Sequence, residues 1–342
     1  MLVLSVLMGG NTYANENNKI NLLFVGSAHS NKSKVELLKI AAANHPIDWE
    51  ITHKPARSLK DLSDAEPLFK RSQFIVFDGV SERESGKTFQ QYLPLVEQSN
   101  AIFFSPSWKT EEMANKGLTS NSQQTLTNYW RNGGSANLTS MLSFIAQNAL
   151  KLPEGSNLVV KSPIIYPIKG VYHPEMPALI KETLDEYVKW RPLDENKPTI
   201  GLLFNRDSIE TEKTELLDTT IAKIEQQGLQ VVPFYFELAR GAKHYDEAIY
   251  LSGKEAPSVD VIISFRNIHW ANQRKMEFEK FGVPVLQAMT YYSGDKSTWE
   301  KDSIGVDPNL MAFTLVLPET AGMTDPMIIA AMDRKTEKYE TI

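Results

Sequence analysis

Residues 199–233 read TIGLLFNRDSIETEKTELLDTTIAKIEQQGLQVVP. Thr199-Ile200-Gly201-Leu202-Leu203-Phe204 is a short, mostly apolar run, as expected of a strand buried on both faces. Leu217, Ile221 and Ile224 follow at helical spacing, and Gly228 closes that helix. Leu229-Gln230-Val231-Val232-Pro233 is the next strand. The strand starts lie roughly 30 residues apart, the length a strand–helix–strand crossover needs. Val259-Asp260-Val261-Ile262-Ile263 and Val283-Pro284-Val285-Leu286 repeat the strand pattern. The stretch therefore predicts an α/β unit on a parallel sheet.

The first half carries the same alternation. Ile20-Asn21-Leu22-Leu23-Phe24-Val25 is an apolar strand closed by Gly26, and a helix with Val35, Leu38 and Ala42 on one face stops at His45-Pro46. Strands near 49–53, 74–77 and 101–104 are separated by helices over 59–69 and 89–96. The Asn/Gln/Thr-rich segment 110–132 predicts a loop over the sheet edge. Gly133-Gly134-Ser135 then opens a helix with Leu138, Met141, Leu142 and Ile145 inward. The expected fold class is α/β: two successive Rossmann-like or flavodoxin-like units, with mainly parallel sheets and helices on both faces. The expected divisions are a leader at 1–18, a first unit at 19–155, a connecting segment with a helix at 156–197, and a second unit at 198–342. The middle piece 158–168 is apolar enough to complete the first sheet, and Pro174 leads into the connecting helix, which buries Ile180, Leu184 and Tyr187. Segments 74–77 and 261–263 are expected as central strands.

Composition narrows the chemistry. Lys and Arg number 36 against 42 Asp and Glu, for a net charge of -6. That balance lacks the basic face of a nucleic-acid binder. With no Cys, disulfides, thiolate zinc sites, iron–sulfur clusters and a Cys nucleophile are all excluded. Leu2-Val3-Leu4-Ser5-Val6-Leu7-Met8 is a short apolar run, and small residues at Thr12 and Ala14 fit a signal-peptidase site. On that reading the mature chain starts near Asn15 and is exported or periplasmic. A first-sheet strand is the other reading of the run, with a cytoplasmic address. No segment approaches the ~20 apolar residues of a membrane-spanning helix.

Ligands of open parallel sheets sit beyond the carboxyl ends of the strands. In the second unit these ends supply Asn205, Arg206 and Asp207, then Tyr235 and Glu237, then Arg266, Asn267 and His269, then Gln287, Thr290 and Tyr291. The candidate ligand-binding set is Asn205, Arg206, Tyr235, Arg266, His269, Gln287 and Tyr291. Arg206 and Arg266 on one rim suit carboxylates, although a rim that is merely wet shows the same residues. In the first unit, Gly26-Ser27-Ala28-His29-Ser30 lacks P-loop and dinucleotide-fingerprint spacing. A backbone anion site there competes with an ordinary helix cap. Gly133-Gly134-Ser135-Ala136-Asn137 misses the nucleophile-elbow pattern at its last position. No pair among the six His has metal-site spacing, and His173 before Pro174 reads as a helix-cap neighbour. No catalytic or metal-ligating residue is assigned.

The order of segments resembles the large subunit of cobaltochelatase and magnesium chelatase, the CobN family. The matching pieces begin with Gly170-Val171-Tyr172-His173-Pro174 and Lys197-Pro198 leading into the Thr199 strand through Asn205-Arg206. Gly228-Leu229-Gln230-Val231-Val232-Pro233 and Gly282-Val283-Pro284-Val285-Leu286-Gln287 follow, then Trp299-Glu300, Gly305, Pro308, Leu317-Pro318-Glu319 and Gly322. The resemblance covers residues 135–332. It implies the N-terminal part of a tetrapyrrole metal chelatase-like subunit, binding or presenting a porphyrin or corrin for metal insertion, or for removal if exported. It implies no cofactor within this chain, a divalent metal as substrate, and ATP on partner ATPase subunits in biosynthetic, cytoplasmic members. Family members are much longer, so catalysis is expected to need residues beyond these. Two departures, Ala321 before Gly322 and the bulky Arg266-Asn267-Ile268-His269-Trp270, imply a rim ligand unlike the usual one. The alternative is a stand-alone exported two-lobe binding protein for a small anionic ligand.

Overall fold

A computed structural model describes residues 19–26, 32–59, 61–79, 82–107, 115–236, 246–266, 268, 271–333 and 339–342. The leader expected at 1–18 lies outside the described residues. The chain forms two compact units, Met1–Ile164 and Ile165–Ile342.

In the first unit, strands β1 (Ile20–Gly26), β2 (Trp49–Pro55), β3 (Phe74–Asp78) and β4 (Ile102–Phe104) form a sheet of order β2-β1-β3-β4. Every pairing is parallel. Strand alternation divides the side chains between two faces. Leu22, Phe24, Phe74 and Val76 pack with α1 (Lys32–Ala43). Leu23, Val25, Ile75 and Phe77 pack with α2 (Leu62–Arg71) and α3 (Glu82–Gln98). Fully burying each such side chain contributes about 1.5–3 kcal/mol. β3, expected as a central strand, lies between β1 and β4 and is buried throughout.

The expected loop at 110–132 is in part a helix, α4 (Ser120–Asn132). Leu126, Tyr129 and Trp130 share one helical face and are buried against the sheet. Thr119 caps the start by accepting from Ser122 N at 3.1 Å. The polar residues that suggested a loop bond to the helix's own carbonyls: Thr127 Oγ1 donates to Gln123 O at 2.7 Å, and Asn132 Nδ2 to Asn128 O at 2.7 Å. Gly133 (φ 58°) turns the chain into α5 (Gly134–Phe144). Residues 158–168 add no strand to the first sheet. Leu158 and Val160 pack against its core instead, and Asn137 clamps Ile164 by exchanging two hydrogen bonds of 2.8 and 2.9 Å.

The second unit holds β5 (Lys169–Tyr172), β6 (Ile180–Lys181), β7 (Thr199–Leu203), β8 (Gln230–Phe236), β9 (Val261–Ser264), β10 (Val285–Tyr291), β11 (Thr324–Met332) and β12 (Tyr339–Thr341). Their order is β12-β11-β10-β9-β7-β8-β5-β6. The run from β11 to β8 is parallel, while β5, β6 and β12 add on antiparallel. β9 is interior as expected, with Ile262 and Ser264 buried and Val261 and Ile263 half-buried.

The segment read as a connector, 156–197, thus supplies two strands and a helix to the second unit. That helix, α6 (Leu184–Trp190), starts later than expected. Thr183 caps it in a reciprocal box with Glu186, which leaves Ile180 in a strand and His173 far from any cap. Pro174 opens a turn, because His173 O accepts from Met176 N at 3.1 Å.

Candidate functional site

The carboxyl ends of the second sheet line up in register. Phe234 of β8 lies beside Leu203 of β7, which lies beside Ser264 of β9, which lies beside Gln287 of β10. Two residues beyond that row come Phe236 and Arg266. The short helix α7 (Asp207–Glu210) follows β7, and α8 (Glu215–Gln226) packs Leu217 and Ile221 with Leu202 and Tyr235. The opposite face holds Leu203, Phe234 and Phe236, with α9 (Asp246–Ile249) and α10 (Ala271–Phe281) packed there through Ala248, Phe278 and Phe281.

Arg266 sits at this edge and is 4% exposed. Its Nη1 donates to Phe236 O at 2.9 Å, and its guanidinium carbon lies 4.6 Å from the Phe236 ring centre. Burial pushes its pKa down to about 10; Arg274 adds to that, while Asp207 and Glu277 oppose it. Among the described residues no carboxylate forms an ion pair with Arg266. α10 carries the buried pair Arg274 Nη1–Glu277 Oε2 at 2.5 Å. Gln287 is buried too, and its Oε1 has no hydrogen-bond partner among the described residues.

The other predicted residues are disposed differently. Tyr235, next to Phe236 in β8, points to the opposite face, where its ring lies 5.5 Å from Phe204 and its hydroxyl donates to Pro167 O at 2.9 Å. Arg206 pairs with Glu210 at 3.2 Å, both largely buried. Asn205 is half-buried in the turn after β7. Tyr291 donates to Asp302 Oδ2 at 2.8 Å, and burial with that carboxylate raises its pKa. His269, Trp270 and Glu237 lie outside the described residues. Arg206 is thus held in an ion pair with Glu210, while Arg266 and Gln287 are buried along the row of strand ends. Arg274 and Glu277 were missed: their 3-residue spacing beside Phe278 and Phe281 was the available signal.

The amino ends of the strands also form a cavity of about 240 Å³, lined by Arg191, Lys197, Glu225 and Gln230 among others. Clefts that hold drug-sized ligands measure roughly 300–1,000 Å³, so this one is small for a macrocycle. Arg191 is bound to Glu225 at 2.7 Å and approaches His173 Nε2 at 2.8 Å, which makes this a structural cluster. No group of three or more His, Asp or Glu is placed to hold a metal among the described residues. No helix among them is long and apolar enough to cross a membrane.

Residues 127–342 match the family model described as CobN/Magnesium Chelatase. The chain is 23% identical over 234 residues to the chloroplastic magnesium-chelatase protein ChlH of Oryza sativa subsp. indica, covering 63% of this chain and 17% of the rice protein. It is 27% identical over 210 residues to a magnesium-chelatase subunit of Cereibacter sphaeroides, covering 59% of this chain and 17% of the bacterial one. Identity to the aerobic cobaltochelatase subunit CobN of a Sinorhizobium species is 23% over 207 residues, covering 58% and 16%. The chain thus spans under a fifth of the length of these relatives. Among solved structures, the catalytic subunit of cobaltochelatase from Mycobacterium tuberculosis superposes with a TM-score of 0.56 at 14% identity. That superposition covers 94% of this chain and 26% of the mycobacterial one, and it shows the shared fold.

Proposed function

This chain belongs to the CobN/magnesium chelatase family, and from that premise we propose that its second unit holds a tetrapyrrole by a peripheral carboxylate at Arg266. The supporting observation is a guanidinium that is 4% exposed, lacks a carboxylate partner among the described residues, and lies near a second buried guanidinium. Leaving such a charge uncompensated in a low-dielectric region costs several kcal/mol. A bound carboxylate removes that cost through charge-assisted hydrogen bonds, which contribute about 1.5–3 kcal/mol each when shielded from water. Phe236 holds the guanidinium from one face.

The chain then acts as the part of a metal chelatase-like subunit that grips the macrocycle's edge. A divalent metal is the substrate, and a partner ATPase subunit supplies energy in a cytoplasmic setting. Insertion and removal are one exchange run in opposite directions, and an exported form would serve removal from haem or a related ligand.

The experiment is an absorbance titration of the 342-residue chain with a metal-free dicarboxylate porphyrin, its dimethyl ester and haem. The free acid should give a saturable Soret shift at micromolar ligand, with the ester bound roughly tenfold or more weakly, since ~1.4 kcal/mol is a factor of ten. Equal binding of acid and ester, or no saturation with any of them, would remove the proposal's basis.

A further inference from the structure

We propose that the cavity at the amino ends of β7 and β8 is a second binding site, for a small oxyanion held by Arg191 and Lys197 and governed by the proton on His173. Three stretches that resemble the chelatase family in sequence, distant along the chain, meet at this point. His173 comes from the first, Lys197 from the second, and Gly228, Leu229, Gln230 and Val231 from the third. Arg266 lies at the opposite, carboxyl ends of the strands, so the macrocycle edge uses none of them. The cavity measures about 240 Å³. A water molecule's share of liquid volume is about 30 Å³, so the space takes a ligand of several heavy atoms.

Both cations are set in place by the fold. Gln230 Nε2 donates to Asp194 O at 2.9 Å and to Lys197 O at 3.1 Å, and its Oε1 accepts from Asp194 N at 2.6 Å. The loop that carries Lys197 is thereby fastened to β8. The Lys197 ammonium forms no ion pair among the described residues. Asp194 feels it through space, while its own Oδ1 accepts from Asn196 N at 3.0 Å and Asn196 Nδ2 at 3.2 Å. Arg191 Nη2 lies 2.7 Å from Glu225 Oε1, Nη1 lies 3.6 Å from Glu175 Oε2, and the guanidinium carbon lies 5.6 Å from the Trp190 ring centre. A guanidinium carries more N–H donors than these contacts use, which leaves donors on Nε and Nη2. Arg191 and Lys197 together outnumber the one carboxylate, Glu225, that lines the cavity with them.

His173 lies behind Arg191 and Glu225 and is 1% exposed. Its Nδ1 accepts from Glu175 N at 3.2 Å, so the neutral ring carries its proton on Nε2 and donates to Glu225 Oε1 at 3.3 Å. Arg191 Nη1, which can only donate, lies 2.8 Å from that same Nε2. No single tautomer serves Glu175 N, Glu225 and Arg191 at once. A protonated ring keeps Glu225 and repels Arg191, which frees the guanidinium for another anion. The charged and titratable groups facing the ring are Glu175 after β5, Tyr187 in α6 with ring centres 6.5 Å apart, Arg191 after α6, and Glu225 in α8. Burial disfavours the protonated ring, Glu225 opposes that, and Arg191 adds to it. An anion on Arg191 offsets the repulsion between the two cations, so anion binding and protonation of His173 favour each other. Affinity therefore rises as pH falls.

The test is calorimetric titration of the full chain at low salt with sulfate and, in a second arm, oxalate, from about pH 7.5 to about pH 5.5. Both stay fully ionised across that range, and the tighter of the two identifies a tetrahedral or planar oxyanion. Saturable one-to-one binding is expected, tightening as pH falls. Arg191→Gln and Lys197→Gln should each weaken it about tenfold or more. Lys223→Gln, which removes an exposed charge of α8 outside the cavity, should change it by less than about threefold. His173→Gln should bind the anion with no rise in affinity toward low pH. No saturation by either anion below about 10 mM overturns the proposal. So does unchanged binding in Arg191→Gln or Lys197→Gln, an equal loss in Lys223→Gln, or a pH profile that His173→Gln leaves as in wild type. If Arg191→Gln lacks native circular dichroism, Lys197→Gln and the pH profile decide, because Lys197 is exposed.

Discussion

Arg266 lies with its guanidinium carbon 4.6 Å from the Phe236 ring centre and donates to the Phe236 carbonyl at 2.9 Å. One residue of β8 thus fixes both the plane and one edge of a buried cation. The remaining donors have no carboxylate ion-pair partner among the described residues. On the proposed function, the cation is thereby oriented before a ligand arrives, which reduces the ordering cost of association.

On the proposed function, stability and ligand binding oppose each other at this position. Replacing buried charges by apolar side chains of similar volume is often neutral or stabilising, by about 1–4 kcal/mol. Arg266→Met should therefore leave the urea midpoint unchanged or raise it, while porphyrin affinity falls. A large loss of stability would instead make Arg266 a structural strut.

Glu277 should behave in the opposite way. It holds Arg274 at 2.5 Å within the protein, and Arg274 already disfavours the charge on Arg266. Glu277→Gln leaves two buried guanidiniums without that carboxylate, and breaking a buried pair from one side costs about 3–5 kcal/mol. Urea unfolding of the variant should show that loss; a change within the scatter of a surface mutation would mean that the region is wet.

Much of the fold was legible because burial on both faces leaves a strong signal. The 74–77 run is apolar throughout and in 199–204 Thr199 alone is polar, a pattern expected of a strand buried on both faces. α4 was not legible: its apolar face is only Leu126, Tyr129 and Trp130, and its polar residues are satisfied by the helix itself. β11 was also missed, because its first four residues are exposed and include Pro326. At the candidate site, the position after a strand identified Arg266, while the separation of Tyr235 from it follows from strand alternation in β8. Arg274 and Glu277 were hidden by composition, since charged residues on a helix ordinarily face water.

The pH dependence has a definite sign. Burial lowers the pKa of His45, His53 and His173 from 6.5, and for His173 the nearby Arg191 adds to this while Glu225 and Glu175 oppose it. A histidine with a depressed folded pKa is protonated first in the unfolded chain, so its contribution is present above pH 6.5 and is lost as pH falls below it. Asp78, with a raised pKa, runs the other way, its contribution fading as pH rises through its folded value. The three histidines should dominate between pH 7 and about pH 5, where stability falls. His173→Gln should flatten the slope measured by urea unfolding; a flat or inverted wild-type profile would contradict the histidine account.

The most direct measurement is a Soret titration of four proteins side by side: wild type, Arg266→Ala, Arg266→Lys and Arg206→Ala. Arg206 is bound to Glu210 at 3.2 Å, so its loss should change porphyrin affinity by less than about threefold, under 1 kcal/mol. Arg266→Ala should weaken binding roughly tenfold or more, and Arg266→Lys should recover part of it by restoring charge without the planar fork. If Arg266→Ala binds as wild type does, or if wild type shows no saturable shift at micromolar porphyrin, the buried guanidinium is not a carboxylate anchor.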